Sequence, residues 1–119
     1  MIIEMNEKVV YKQIMDAYVA QLIALTKNIY VKEERIIEVR GRGLEDLSDE
    51  ELNYLIDLQK DVCHEYDLMF NLYVRIRDLA KASDDPDAKM TAQVYEKFIP
   101  IVDNMRNEVY ALLDELAED

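Results

Sequence analysis

The residues best suited to chemistry are few and mostly acidic. One histidine, His64, stands directly after the one cysteine, Cys63. Neighbours on a helix point about 100° apart, so these two cannot form a nucleophile–base pair. Asp57, Asp61 and His64 share a helical face, and Asp61-x-x-His64 is half of the carboxylate-x-x-His pattern that helical di-iron sites use twice. With a single histidine the second half has no candidate, so His64 reads as a surface side chain among charges and no metal or other cofactor is expected. Cys63 falls on a helical line with Ile56 and Phe70, which points to a buried, apolar role. A second catalytic possibility is Mg²⁺ held by carboxylates of two facing helices, as in all-α nucleotide pyrophosphohydrolases. Asp57, Asp61, Glu65 and Asp67 on one segment, and Glu96, Asp103 and Glu108 on another, are the candidates. They lack paired Glu-x-x-Glu spacing, and there is no Gly-rich phosphate loop. A non-enzymatic protein is the expectation, with the hydrolase as an alternative.

The elements that position these residues are helices. In 119 residues there are only two Gly and two Pro, too few for the frequent turns of a β or α/β fold. The length fits a single domain over 1–119. Tyr11, Met15, Tyr18, Leu22, Leu25, Ile29 and Ile36 step by fours and threes and predict a first helix over about 5–40. The segment 29–39 is rich in β-branched residues and could instead form a short hairpin. No turn former stands in Lys32-Glu33-Glu34-Arg35, so helix is preferred, ended by Gly41 and Gly43. Ser48 and Glu51 form a capping-box pair, flanked by Leu47 and Leu52 at staple positions. They open a second helix over about 48–82, with the stripe Leu52, Leu55, Gln59, Val62, Tyr66, Met69, Tyr73, Ile76 and Ala80. Asp85-Pro86 opens a third over about 86–118, striped by Tyr95, Phe98, Val102, Met105, Val109, Leu112 and Leu116. Pro100 lies inside it, and a kink is expected there. Short connections make neighbours antiparallel, so the expected fold is an all-α, up-down-up bundle of three long helices.

The middle of the first helix and residues 68–74 are apolar nearly all round. This surplus suggests an apolar interface at Val19, Ile23, Leu68 and Leu72, with the bundle completed by a homodimer or higher homo-oligomer. No apolar run approaches the 18 residues of a membrane span, and the first residues do not resemble a signal peptide. A cytoplasmic protein is expected, also because a lone cysteine permits no internal disulfide.

Charge is distributed unevenly. Residues 1–43 carry 7 Lys/Arg and 6 Asp/Glu, whereas residues 44–119 carry 7 and 20, for a total of −12. Such a chain repels phosphates and anionic lipid, so nucleic acid and membrane are not expected as direct partners. Folding up-down-up brings Glu45, Asp46, Asp49, Glu50 and Glu51 to the same end as Asp114, Glu115, Glu118 and Asp119. The helix dipole favours the first group but disfavours the second, so helix stability does not account for the second group. Two readings stand: an acidic, solvated end, or a docking surface for a basic partner through Glu45, Asp46, Asp49, Glu50, Asp114, Glu115 and Glu118. The functional classes that follow are an acidic inhibitor of immunity or anti-defence type, a small secretion or assembly chaperone, and a structural oligomer subunit.

Overall fold

The computed structural model describes residues 2–118, and side chains from 9 to 117. Three helices account for nearly all of it: α1 (Ile2–Arg40), α2 (Asp49–Lys81) and α3 (Pro86–Glu118). A short 3₁₀ turn, Leu44–Asp46, lies in the first connection. The helices run up-down-up in a body measuring 66 × 21 × 17 Å. Both outer helices pack on α2, and the backbones of α1 and α3 come close to each other at few points.

Local chemistry sets each boundary. At Gly43 the backbone takes φ 87°, a value that favours glycine, and α1 has ended three residues before it. The Gly41 N–H still reaches the Ile37 carbonyl at 2.9 Å. Ser48 caps α2: its hydroxyl accepts from the Glu51 N–H at 3.1 Å, and the Glu51 carboxylate accepts from the Ser48 N–H at 3.3 Å. Leu47 and Leu52 both pack against the core. Asp85 caps α3 by accepting from the Asp87 N–H at 3.1 Å, with Pro86 at the first helical position. α3 runs without interruption through Pro100, which has no N–H to give the Glu96 carbonyl.

The β-branched segment 29–39 is helix. A hairpin would bury Ile29, Val31, Ile37 and Val39 together, on a period of two. Instead Ile29, Ile36 and Val39 are buried while Tyr30, Val31 and Ile37 are 63–70% exposed. The core-facing period of seven residues decides the local structure over the β-propensity. On α2, Leu55, Gln59, Val62, Tyr66, Met69, Ile76 and Ala80 are buried and Leu52 and Tyr73 are partly buried, so the expected stripe is the central face of the bundle, which Leu72 widens.

Registers follow from pairs between helices. Lys32 bonds Glu65, and Tyr66 donates to Glu33 at 2.6 Å, which aligns α1 with α2. Asp85 lies close enough to Tyr11 to raise its pKa, after the larger effect of burial. Tyr11 is thus level with the α2–α3 connection, and roughly the first two or three turns of α1 run past it. Val9 and Val10, at 53% and 50% exposure, lie on this overhang.

Candidate interaction surfaces

The expected chemical residues do not converge. His64 is exposed, and Asp57 and Asp61 beside it face solvent. Cys63 is buried, and its thiol donates to the Val109 carbonyl at 3.4 Å. Burial, with Asp67 and Asp114 nearby, pushes that thiol up to about 11. Of the candidate acids, Asp57 and Glu108 have no ion pair among the described residues, and the other five are divided among separate cations. Asp61 and Glu65 meet Lys32 of α1. Asp67 and Asp103 meet Arg106, at 3.7 and 2.6 Å. Glu96 meets Arg77 and Lys81, at 3.6 and 3.7 Å. Among the described residues, no three His, Cys, Asp or Glu side chains gather where one cation could sit.

One buried and one half-buried polar side chain fix α3 on α2, and sequence reasoning gave them no such role. Gln59, 1% exposed, donates to the Val109 carbonyl at 2.9 Å. Arg106 lies over the Phe70 ring at 4.2 Å while holding its two aspartates. Both residues sit at stripe spacing, which was the available signal.

The acidic end forms as the topology requires. Arg40, at the end of α1, lies 3.6 Å from Glu115, near the end of α3. Arg42 takes Glu51 at 3.1 Å. Hydrogen bonds from the Ser48 backbone and hydroxyl, with Arg42 nearby, hold the Glu51 carboxyl below the usual range. Glu45, Asp46, Asp49, Glu50 and Asp114 are exposed and have no cation within ion-pair distance among the described residues. Of the expected docking residues, Glu115 is thus engaged, and the side chain of Glu118 lies outside those described.

The helix registers convert the charge asymmetry from one between helices to one between halves. Among the residues whose side chains are described, a plane across the middle of the bundle separates 28–69 and 102–117 from 9–27 and 70–101. The first group carries 6 Lys/Arg and 16 Asp/Glu, a net of −10, and the second 7 and 6, a net of +1, so one half holds the excess acid and the other is nearly neutral. The second half of α2 and the first half of α3 belong to the nearly neutral part, which a reading by helix could not reveal.

The expected apolar interface does not form one surface. Leu72, at 7% exposure, belongs to the chain's own core, where α1 covers it, and is not free for a partner. Leu68, 43% exposed, lines a shallow groove with Gln21, Leu25, Asn71, Leu72 and Arg75. Ile23, 51% exposed, stands two positions from Leu25 and so on a different flank of α1. Val19, one turn before Ile23, is half-buried.

The larger apolar surface is on α3. The expected core stripe of that helix splits. Val102, Val109 and Leu116 are buried and Tyr95 is partly buried, but Phe98, Met105 and Leu112 are 46%, 40% and 37% exposed. The core line is completed instead by Ala88, Ala92, Ile99 and Leu113. Phe98, Met105 and Leu112 join Met90, Val94 and Ile101, at 64%, 48% and 52%, in a second, solvent-facing stripe. Its spacing of four, four, three, four and seven residues is helical throughout. The signal was present in the sequence, but one core line had absorbed half of it.

Compared with known proteins, the chain matches no family model, no curated protein and no solved structure.

Proposed function

We propose that this is a non-enzymatic helical protein that works by binding another protein through its acidic half, as an inhibitor of immunity or anti-defence type covers a basic functional surface. The observation that carries the reading is the gathering of a net −10 among the described residues into one half of an elongated bundle, with Glu45, Asp46, Asp49, Glu50 and Asp114 exposed and, among the described residues, without cations of their own. Concentrated charge of one sign steers association with the opposite sign and makes the complex salt-sensitive. Separation of the α2 and α3 acids onto Lys32, Arg106, Arg77 and Lys81 supports a non-catalytic role over a Mg²⁺-dependent nucleotide hydrolase. A screen of nucleoside triphosphates with Mg²⁺ tests that contrast, and turnover that a carboxylate substitution abolishes would favour the hydrolase. The docking reading is tested by replacing Glu45, Asp46 and Asp114 with their amides. Partner association should slow at least tenfold at low salt, and an unchanged association rate would reject it. A chaperone that holds an apolar helix needs the outer stripe of α3 free in solution.

A further inference from the structure

We propose that the outer stripe of α3 is covered by a second copy of the chain, packed antiparallel across a two-fold axis beside Ile101. The stripe is Met90, Val94, Phe98, Ile101, Met105 and Leu112, each 37–64% exposed. At very roughly 80–100 Å² of exposed surface each, these side chains present about 500 Å², near the top of what a monomer ordinarily leaves open. Two copies of that surface with their polar rims approach the roughly 1,200 Å² at which specific interfaces begin.

The stripe is self-complementary about its centre. With the axis at Ile101, Ile101 meets itself, Phe98 lies beside the partner's Met105, and Met90 lies against the partner's Leu112. Glu108 is the one charged residue at stripe spacing between Met105 and Leu112. The antiparallel register brings it within one helical turn of the partner's Lys97. In a parallel pair each of these charges would face its own copy. Whole-molecule charge selects the same direction. Antiparallel packing sets the acidic half of one copy beside the nearly neutral half of the other, whereas parallel packing would stack two acidic halves. The surface is separate from the acidic end, so dimerisation and docking of a basic partner do not exclude each other.

The test uses the purified full chain alone, so its outcome does not depend on the basic-partner reading. Light scattering should give twice the chain mass at micromolar concentration. Ile101→Glu should give the single mass with unchanged helical circular dichroism. Lys97→Glu and Glu108→Lys should each weaken the dimer several-fold, and the double variant should restore it. Orientation is read by cysteine cross-linking, with native Cys63 buried and out of reach. Ile101→Cys alone should oxidise to a covalent dimer, and Met90→Cys should link to Leu112→Cys but neither to itself. A monomeric wild type, a dimer indifferent to Ile101→Glu, or self-linking of Leu112→Cys would overturn the proposal. Should Ile101→Glu fail to fold, the cysteine variants decide.

Discussion

Tyr66 shows how a single buried group ties an outer helix, α1, to the middle one. Its ring is 3% exposed on α2 and its hydroxyl donates to Glu33 of α1. Burial first, then the hydrogen bond to Glu33 and the nearby charges of Glu33 and Glu108, raise its pKa above the ordinary value of 10.0. Burial also raises Tyr73 and Tyr95. The sign follows from linkage: above pH 10 the unfolded chain loses these protons before the folded one does, so stability falls as pH rises. Urea titrations from pH 8 to 11 should show that decline. Tyr66→Phe should flatten it and, at neutral pH, cost about 1–2 kcal/mol by stripping Glu33 of its donor. Cys63 obeys the same logic in a kinetic form. With its thiol pushed up to about 11 and its sulfur buried, it should not react with a thiol reagent at pH 8 until the chain is unfolded. The burial of Cys63 was legible from its line with Ile56 and Phe70. The roles of Gln59 and Arg106 were not, because a stripe position specifies where a side chain points and not which carbonyl or ring it meets.

At the scale of elements, the sequence signals with a mechanism proved sufficient. The Ser48–Glu51 box, the Asp85-Pro86 start and the Gly41–Gly43 stop all coincide with helix ends, because each satisfies backbone groups that a helix end leaves open. Ser48→Ala should therefore lower stability by about 1 kcal/mol in denaturant titration, as loss of an N-cap does. Pro100 is exposed inside a continuous helix, and Pro100→Ala should raise stability by roughly 1–3 kcal/mol by restoring the donor to Glu96. The β-propensity of residues 29–39 was the weaker guide, since packing of Ile29, Ile36 and Val39 outweighs it. α3 was misread in one respect. Two apolar lines interleave on it, and only tertiary contact determines which of them α2 takes. The wider spacing of the α1 and α3 backbones was equally illegible, because stripes record burial and not which neighbour supplies it.

For the whole molecule, charge is the organising feature. Among the described residues, the loop and the registers gather the excess carboxylates into the half that holds Arg40 and Arg42, and leave the other half nearly neutral. Self-repulsion in that half should make the protein salt-stabilised. Raising ionic strength from about 0.01 to 0.15 M shortens the Debye length from roughly 30 to 8 Å and should lift the Tm by a few degrees. A Tm that falls with salt would mean that the ion pairs outweigh the repulsion. The same field gives the molecule its proposed use, which one comparison tests most directly. Wild type and a variant carrying Glu45→Gln, Asp46→Asn, Asp114→Asn and Glu115→Gln are used as bait in native lysate at about 0.05 and 0.5 M salt. The account predicts a defined basic protein held by wild type at low salt, released at high salt and not held by the variant at either. Capture of the same proteins by both baits at both salt concentrations would contradict it.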